Sequence, residues 1–275
     1  MPCSGARPYR GRVRIATWNV NSVRSRIDRV EALVQRHDLD VLALQETKCR
    51  DDQWPVMGLE ALGYEVATLG HSQWNGVAIV SRVGLVDVQH GFEGMPHWGE
   101  PLAAEARAIG ATCGGVRVWS LYVPNGRKLD DPHLAYKLEW LAALRGTAAG
   151  WLADDPSAQV ALTGDWNIAP FDEDVFDMAQ FANSTHVSPA ERAAFQAMVE
   201  AGYVDVAREF TPGPDVYTYW DYYRQRFERN RGLRIDFVLG SPGLASRVSG
   251  AFIDTEERAG KGASDHAPVV VDLAD

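Results

Sequence analysis

Short apolar runs recur along the chain, and most of them have the length of a β-strand. Residues 105–113 alternate between apolar and polar positions, and residues 116–123 nearly do, which is typical of strands buried on one face. The glycines between these two runs predict a hairpin turn. The predicted strands are VRIATW (13–18), DVLALQ (40–45), GVAIVSR (76–82), EARAIGATC (105–113), VRVWSLYV (116–123), QVALT (159–163), RIDFVLG (234–240) and APVVVDL (267–273).

Three longer segments carry apolar residues at helical spacing. They are RSRIDRVEALVQRH (24–37), DPHLAYKLEWLAALRGTAAGWL (131–152) and SPAERAAFQAMVEA (188–201). The second opens with Asp131 as a candidate cap, and the third opens with Ser188 and Glu191 at the spacing of a capping box. Helices interspersed among many strands, some of them paired as hairpins, favour two packed sheets flanked by helices.

The organisation of the chain is that of one α/β domain. The chain has 275 residues, of which 46% are hydrophobic and 23% charged, an ordinary globular composition. It contains no clear linker and no low-complexity segment. We therefore predict a single catalytic domain at residues 12–275, preceded by a mobile N-terminal arm at residues 1–11.

Composition also narrows the class of protein. No apolar run approaches the roughly 20 residues of a membrane span, and the basic N-terminus lacks the apolar stretch of a signal peptide. Three cysteines without metal-ligand or redox spacing fit a reducing cytoplasm better than a disulfide-built fold. The net charge of -10 argues against a nonspecific polyanion binder, although an acidic metal site and a basic groove can share one protein.

Polar side chains gather where the predicted strands begin or end. They are Asn19 and Asn21, Glu46, Tyr122 and Asn125, Asp165 and Asn167, Asp236, and Asp265 with His266. Taken alone, each asparagine or aspartate would be interpreted as a turn residue, and the histidine as a structural one. Asp236 resists that interpretation, because a carboxylate between apolar neighbours of a core strand is costly to bury unless it is paired. Glu46, directly after an apolar run, meets the same objection.

The acidic members of this set suit metal-assisted hydrolysis of a phosphodiester. Glu46 and Asp265 offer hard oxygen ligands suited to Mg²⁺ or Mn²⁺. Buried Asp236 would fix the ring of His266 and favour its charged form.

The remaining members would handle water and phosphate. Asp165 and Asn167 lie two residues apart on an extended segment, so their side chains point to the same side. One of them can align a water molecule while the other donates to a phosphoryl oxygen. Tyr122 adds a hydroxyl near the same rim.

Together these stretches resemble the exonuclease III / AP endonuclease family, in its bacterial exodeoxyribonuclease III branch, within the endonuclease–exonuclease–phosphatase superfamily. The matching stretches, in the order of the family, are IATWNVNSVRSR, LALQETK, GVAIVSR, YVPNG, GDWNIAP, NRGLRIDFVL and SDHAPVV. Within these stretches, the whole superfamily shares Asn19, Glu46, Asp165 with Asn167, and Asp265 with His266, which specify only the chemistry. Residues 218–236 are much more specific to the exonuclease III branch. The resemblance implies an α/β fold, a four-layered sandwich of two mixed β-sheets packed face to face with helices on both outer faces.

The resemblance also implies which residues hold metal. Glu46 and Asp265 would ligate Mg²⁺ or Mn²⁺, with Asn19 close by. Asp165 and Asn167 are candidates for a second ion. Asn21 stands where some members of the family carry an acid that helps to hold metal.

Catalytic roles follow from the same resemblance. Asp165 would position or deprotonate the attacking water, and Asn167 would orient it or bind the phosphate. Asp236 would orient His266, which would contact the scissile phosphate. Tyr122 would bind the phosphate or assist the leaving oxygen.

Candidate DNA contacts lie in three segments of the chain near the proposed site. The candidate residues for binding DNA or the abasic sugar are Arg24, Arg127, Lys128, Tyr219, Trp220, Asn230, Leu233 and Ile235. Four of these, Tyr219, Trp220, Leu233 and Ile235, fall where the family builds its pocket for the abasic sugar. Leu233 replaces an aromatic residue found in some animal relatives.

The implied function is that of a DNA repair nuclease acting on double-stranded DNA. It would hydrolyse the phosphodiester 5′ to abasic sites and remove 3′ blocking groups or nucleotides, as a cytoplasmic monomer working at the bacterial nucleoid and away from membranes. Two alternatives remain open at this point. One is a related metal-dependent phosphodiesterase or phosphatase acting on RNA or a phosphoinositide, and the other is a DNA-binding protein whose catalytic site has decayed.

Overall fold

The computed structural model describes residues 12–275, so the N-terminal arm predicted at residues 1–11 lies outside the described residues. The strands are β1 (Val13–Asn19), β2 (Val41–Gln45), β3 (Glu65–Leu69), β4 (Val77–Ser81), β5 (Val86–His90), β6 (Ala108–Cys113), β7 (Val116–Tyr122), β8 (Val160–Asp165), β9 (Val204–Asp205), β10 (Asp236–Gly240), β11 (Val248–Ile253) and β12 (Val269–Leu273). The α-helices are α1 (Ile27–Arg36), α2 (Met57–Ala61), α3 (Pro132–Asp154), α4 (Pro189–Glu200), α5 (Pro242–Ala245) and α6 (Thr255–Arg258).

The strands form two six-stranded sheets of closely similar design. The first has the strand order β11-β12-β1-β2-β4-β3 and the second β5-β6-β7-β8-β10-β9. Each sheet contains a single parallel pair, β1 with β2 and β7 with β8, flanked by antiparallel neighbours. Parallel strands end at the same edge, so each sheet presents two strand ends side by side.

Apolar side chains divide the molecule into four layers. Ile15 and Val118 belong to the core between the two sheets. The outer face of the first sheet packs on α1 through Leu33, and the outer face of the second packs on α3 and α4 through Trp140 and Phe195. The predicted four-layered α/β sandwich, with helices on both outer faces, is confirmed.

The inner faces of the sheets become polar toward one end. On β1 the inward positions change from Ile15 to Thr17 and then to Asn19. Just below that end, the amide of Gln45 donates to Thr17 Oγ1 at 3.0 Å and to Ser120 Oγ at 2.9 Å, which bridges the two sheets. This fully buried bridge separates the apolar core from the polar end, where the candidate site lies.

Most predicted elements are present with shifted bounds. Each of the eight predicted strands overlaps an observed strand, and Gly114 and Gly115 form the predicted hairpin turn with positive φ. Both predicted caps are confirmed, because Asp131 accepts from a helix N–H and Ser188 forms a capping box with Glu191. Residues 105–107 are not part of β6, because Arg107 N–H turns back to the carbonyl of Glu105.

Four strands were missed, each for a physical reason. All five residues of β5 are exposed, so the strand lacks an apolar face. Strand β9 has only two residues, and the pairing of β11 is irregular near Gly250. Strand β3 alternates only weakly between exposed and buried positions. Within residues 12–275, no helix is both long and apolar enough to cross a membrane.

Candidate active site

Strand ends from both sheets converge on one cluster of polar side chains, which we call the strand-end cluster: Asn19, Glu46, Asp165, Asp236 and His266. Asn19 ends β1, and Glu46 follows β2, its parallel neighbour. Asp165 ends β8, and Asp236 lies directly opposite it at the start of antiparallel β10. His266 precedes β12, with its carbonyl oxygen accepting from Trp18 Nε1 at 3.0 Å.

The buried amide of Asn19 joins the two sheets at the centre of the cluster. Its Nδ2 donates to Glu46 Oε1 at 2.9 Å and to Asp165 Oδ2 at 3.0 Å. Its carbonyl oxygen accepts from the backbone N–H of Asn21 at 3.1 Å. Asn19 therefore holds two carboxylates from different sheets close together.

His266 lies between two further carboxylates. Its Nδ1 is 2.8 Å from Asp236 Oδ2, and its Nε2 is 3.8 Å from Asp165 Oδ2. Thr218 Oγ1 also donates to Asp236 Oδ2, at 2.6 Å, while the second oxygen of Asp236 is buried without a hydrogen-bond partner among the described residues. The structure thus brings Asp236 and His266 together as predicted, and fixes the ring from the Nδ1 side.

The surroundings of His266 and Asp165 raise the pKa of both groups, to different values. Burial alone lowers the pKa of His266, but the charge and hydrogen bond of Asp236 outweigh it and raise the pKa to about 10. Burial raises the pKa of Asp165 to about 7, with the positive charge of His266 opposing and the negative charges of Asp236 and Glu46 reinforcing the shift. The site therefore holds a charged imidazole beside a carboxylate that titrates near neutrality.

Glu46 lies at the edge of the cluster that faces two amides and a lysine. Lys48 Nζ is 2.7 Å from Glu46 Oε2 and donates to Asn21 Oδ1 at 2.6 Å. Asn21 Nδ2 in turn donates to Asp265 Oδ1 at 2.9 Å. Burial alone raises the pKa of Glu46, but the charge of Lys48 and the hydrogen bonds from Asn19 and Lys48 outweigh it and lower the pKa.

The donor atoms of this region fit a hard divalent cation. Among the described residues, Glu46, Asp165 and His266 form the group of candidate ligands whose donor atoms lie within 4.8 Å of one another. The carboxylate oxygens suit Mg²⁺ or Mn²⁺. The Nδ1 of His266 is hydrogen-bonded to Asp236, so Nε2 is the ring nitrogen that this histidine could offer to a metal. Asp265 lies outside this group, linked to it through Asn21, so its role as a ligand stays a prediction.

Backbone geometry directs Asn167 toward the cluster and Trp166 away from it. Trp166 is fully buried in the core under α3 and α4. Asn167 has φ 51°, a left-handed conformation that non-glycine residues adopt mainly at special sites. Its N–H donates to Asp165 Oδ1 at 2.9 Å, and its side chain is fixed by Val123 O and by Asn125 Nδ2.

A glycine before Asp165 allows β8 to lie close to β7. A Cβ atom at Gly164 would lie 1.9 Å from the carbonyl oxygen of Leu121. Any other residue at this position would push apart the parallel pair that carries Tyr122 and Asp165, which are register partners. Gly164 is thus required by close backbone approach and not by a turn.

Tyr122 closes the cluster on the side of β7. One face of its ring is covered by the guanidinium of Arg107, whose carbon lies 4.8 Å from the ring centre. Burial, with the charge of Glu46, raises the pKa of Tyr122 well above its usual value, and Arg107 opposes that shift. The hydroxyl is therefore a proton donor over the neutral pH range.

Three of the four residues predicted for the abasic sugar lie together, because Tyr219 packs against the apolar core that contains Leu233 and Ile235 and pairs with Leu233 through the backbone. The ring of Tyr219 lies 4.8 Å from that of His266, next to the cluster. Leu233 and Ile235 are buried in a small apolar core together with Val175 and Val187. Trp220 packs in a different apolar group and donates to Asn230 Oδ1 at 3.1 Å, beside a separate cavity of about 530 Å³. Their roles in binding stay predictions.

Two basic cavities flank the cluster. One, of about 360 Å³, is lined by Arg24, Lys48 and Arg50 and lies on the side of Glu46. The other, of about 560 Å³, is lined by Arg127 and Lys128 and lies on the side of Asn167. The positions of the predicted DNA-contacting arginines and lysine are therefore compatible with a phosphate-bearing ligand that crosses the site.

Four residues of the site were not assigned a role from the sequence. Lys48 and Asn125 were visible within the stretches QETK and VPNG, and their placement beside polar strand ends is a signal that could have found them. Thr218 and His186 carried no such signal, because each reaches the site through a long connection. His186 Nδ1 lies 2.5 Å from the carbonyl oxygen of Asn167, and burial lowers the pKa of this histidine to about 4.

The fold and the cluster together define a phosphoester hydrolase, and comparison with known proteins gives the family. Residues 16–266 match the Endonuclease/Exonuclease/phosphatase family, to which the chain therefore belongs. The chain is similar to exodeoxyribonuclease III of Haemophilus influenzae, with 30% identity over 94% of this chain and 98% of that protein. The prediction of a hydrolytic enzyme of this family is confirmed.

Two solved structures share the whole fold with this chain. One is the 3′ phosphatase NExo from Neisseria bound to a product DNA hairpin, with 37% identity, a TM-score of 0.89, and coverage of 96% of this chain and 100% of that one. The other is an AP endonuclease from Archaeoglobus fulgidus, with 34% identity, a TM-score of 0.88, and coverage of 96% and 99%. These relatives carry two different DNA-directed activities on the same framework.

Proposed function

We propose that this protein is a metal-dependent DNA repair nuclease that hydrolyses the phosphodiester 5′ to abasic sites in double-stranded DNA and removes 3′ blocking groups or nucleotides. The observation that carries the proposal is the strand-end cluster, in which Asp165 lies between the Glu46 carboxylate and the His266–Asp236 pair. Support also comes from relatives named exodeoxyribonuclease III, 3′ phosphatase and AP endonuclease.

The metal would be held by the carboxylates at the edge of the cluster. Glu46 is the principal ligand in this proposal, with Asp265 as the second carboxylate and Asn19 close by. A bound Mg²⁺ or Mn²⁺ supplies positive charge that offsets the charge of the phosphate and of the departing oxygen. Before the metal binds, Lys48, at 2.7 Å from Glu46, keeps that carboxylate ionised.

Asp165 and Asn167 would prepare the attacking water. A general base works best when its pKa lies near the operating pH, and burial raises the pKa of Asp165 to about 7. Asn167 is held by two side-chain hydrogen bonds beside Asp165, so it can orient the same water or bind a phosphoryl oxygen without moving. In this proposal, Asp165 takes the proton as the water oxygen attacks phosphorus in line.

His266 and Tyr122 would stabilise the charge that develops. The imidazolium of His266, held by Asp236, would donate through Nε2 to the scissile phosphate. Tyr122 keeps its proton across the neutral pH range and can donate to the phosphate or to the leaving 3′ oxygen. The preorganised donors thus face the place where negative charge grows.

The basic cavities on either side of the cluster would bind the flanking phosphates of the duplex. Arg24 and Arg50 would contact one side, and Arg127 and Lys128 the other. A baseless sugar loses less stacking energy than a normal nucleotide when it turns out of the helix, which favours damaged sites. A single copy of the chain contains every group named here, so we propose that the monomer is active.

The test is a gel assay on duplexes labelled at either end, with Mg²⁺ present. One duplex carries a single abasic site, one carries a 3′ phosphate, and one is undamaged. We expect cleavage on the 5′ side of the abasic site, leaving a 3′ hydroxyl, together with removal of the 3′ phosphate and slower trimming of the undamaged 3′ end. A single-stranded RNA and a phosphoinositide serve as competing substrates.

A matched pair of variants keeps the assay specific. Asp165→Asn removes the proposed base, while Asp155→Asn makes the same change in an exposed loop before β8. Faster turnover of RNA or the phosphoinositide than of the damaged duplexes would overturn the substrate. Tight duplex binding without turnover of any substrate would indicate a decayed site.

A further inference from the structure

A buried arginine lies directly behind Tyr122 and takes no part in the mechanism above. The side chain of Arg107 is 6% exposed. Its guanidinium carbon lies 4.8 Å from the centre of the Tyr122 ring, and its Nη1 donates to the carbonyl oxygen of Tyr122 at 3.4 Å. The backbone N–H of Tyr122 donates to the carbonyl of Arg107 at 2.7 Å. Arg107 therefore contacts both the ring and the backbone of the same tyrosine.

Arg107 is itself fixed by an anionic partner. Its Nε donates to Glu105 Oε2 at 2.6 Å, and the other oxygen of Glu105 accepts from Asn75 Nδ2 at 2.9 Å. The chain departs from strand geometry here, since Arg107 N–H turns back to the Glu105 carbonyl just before β6 begins. This turn lets the arginine lie across the tyrosine ring.

We propose that Arg107 is a positioning residue for the phosphoester hydrolysis proposed above, and that it acts by holding the ring of Tyr122 so that its hydroxyl faces Glu46 and the scissile phosphate. The inference rests on the proposed function, because it concerns the rate of the same reaction. A planar guanidinium, gripped by Glu105, restricts the ring from one face. A flexible ammonium could preserve the charge but not that planar contact.

A second arginine, on the strand that carries Tyr122, offers a matched control. Arg117 lies at the opposite end of β7, where its guanidinium carbon is 5.0 Å from the centre of the Trp119 ring. Its donors reach Asp87 O and Gln89 Oε1, none of which belongs to the strand-end cluster. Arg107→Lys and Arg117→Lys therefore make the same chemical change to the same kind of contact, one beside the site and one away from it.

The experiment is a cycle of variants measured for kcat and KM on the abasic duplex. We expect Arg107→Lys to lower kcat about 10-fold with KM within about 2-fold, the pattern of a group that acts in the transition state. In the Tyr122→Phe background, where no hydroxyl remains to be positioned, Arg107→Lys should change kcat by less than about 2-fold. Arg117→Lys should leave kcat unchanged.

Two outcomes would contradict the positioning role of Arg107. If Arg107→Lys lowers kcat by the same factor with and without the Tyr122 hydroxyl, or does not lower kcat at all, Arg107 does not act through Tyr122. If Arg107→Lys fails to fold, Glu105→Gln loosens the same arginine from outside and should show a smaller loss of kcat that also vanishes in the Tyr122→Phe background. A wild-type protein that turns over no duplex would instead overturn the proposed function, which separates the two failures.

Discussion

Two groups of buried charges meet at Asn167, and they are built on opposite principles. On one side is the strand-end cluster, with the carboxylates Glu46, Asp165 and Asp236. On the other is the ion pair between Lys137 of α3 and Glu191 of α4, both fully buried. The ion pair contacts Asn167 through Lys137, whose Nζ donates to the carbonyl oxygen of Asn167 at 2.7 Å.

In the ion pair every charge has a partner. Lys137 Nζ donates to Glu191 Oε1 at 2.5 Å and also to the carbonyls of Asn125 and Asn167. The other oxygen of Glu191 accepts from Ser188 Oγ at 2.6 Å. Buried charges that are paired and hydrogen-bonded in this way hold neighbouring elements in place.

The strand-end cluster is instead short of positive charge. Asp165 and Asp236 are register partners on adjacent strands, and the single imidazole of His266 serves both. One oxygen of Asp236 has no hydrogen-bond partner among the described residues, and the pKa of Asp165 rises to about 7. The comparison teaches that the balanced pair supports the site, whereas the unbalanced cluster is the part that can bind a cation and exchange protons.

The largest effect on activity is expected at Asp165. Asp165→Asn should lower kcat at least ~100-fold, the lower end of general-base contributions. The free energy of unfolding should stay the same or rise, because the substitution removes the charge of one of two buried carboxylates, Asp165 and Asp236, that lie opposite each other on adjacent strands. Rate assays on the abasic duplex and urea unfolding check both parts, and near-normal turnover would remove Asp165 from the mechanism.

Substitution in the Lys137–Glu191 ion pair should instead lower the free energy of unfolding. Lys137→Met leaves Glu191 buried without its counter-ion and should lower the free energy of unfolding by about 3–5 kcal/mol. Adding Glu191→Leu should restore part of that loss, because no unpaired charge then remains although the capping box with Ser188 is lost. Urea unfolding of the single and double variants measures this, and a loss below about 1 kcal/mol in the single variant would contradict the balance described here.

A smaller and pH-dependent effect is expected at Asp236. In the wild type, the rate should rise as Asp165 loses its proton near pH 7 and fall as His266 loses its proton near pH 10. Asp236→Asn removes the main group that favours charged His266, so the alkaline decline should move to lower pH. Profiles of kcat/KM against pH test this, and superimposable alkaline limbs would exclude the coupling of Asp236 to His266.

The smallest effect is expected at His133, near the start of α3. Burial, with the charges of Arg107 and Arg127, lowers the pKa of His133 to about 4, and its Nδ1 accepts from Gly126 N–H at 3.1 Å. Between about pH 6.5 and 4 the unfolded chain binds a proton that the folded chain does not, so stability falls as the pH falls.

The His133→Asn variant isolates this contribution. From pH 7.5 to pH 5, the wild type should lose at least about 1 kcal/mol more unfolding free energy than the variant, since one pKa unit corresponds to about 1.4 kcal/mol. Urea unfolding at the two pH values provides the comparison. Equal losses in both proteins would show that His133 is free to protonate in the folded state.

The sequence carried enough local information for the framework and for the strand-end cluster. Alternating apolar runs predicted the strands, and a buried carboxylate at Asp236 demanded a partner, which the structure shows to be His266. Strand β5 could not be predicted, because its five residues are all exposed.

Other parts of the site depend on long-range contacts that leave no local pattern. Lys137 and Glu191 are 54 residues apart, and each alone is typical of a solvated helix surface. The stacking of Arg107 on Tyr122 also depends on sheet pairing, which the order of residues does not reveal. The resemblance likewise could not show that Trp220 and Leu233 pack in different apolar clusters.

The central claim, that an acid-rich cluster needs a divalent cation to hydrolyse DNA, is tested most directly by removing the ion. The measurement is the initial rate of cleavage of the abasic duplex in Mg²⁺, then with excess EDTA, and then with Mg²⁺ restored in excess. We predict that EDTA abolishes cleavage and that restored Mg²⁺ returns the original rate. Cleavage that continues unchanged in excess EDTA would contradict the account.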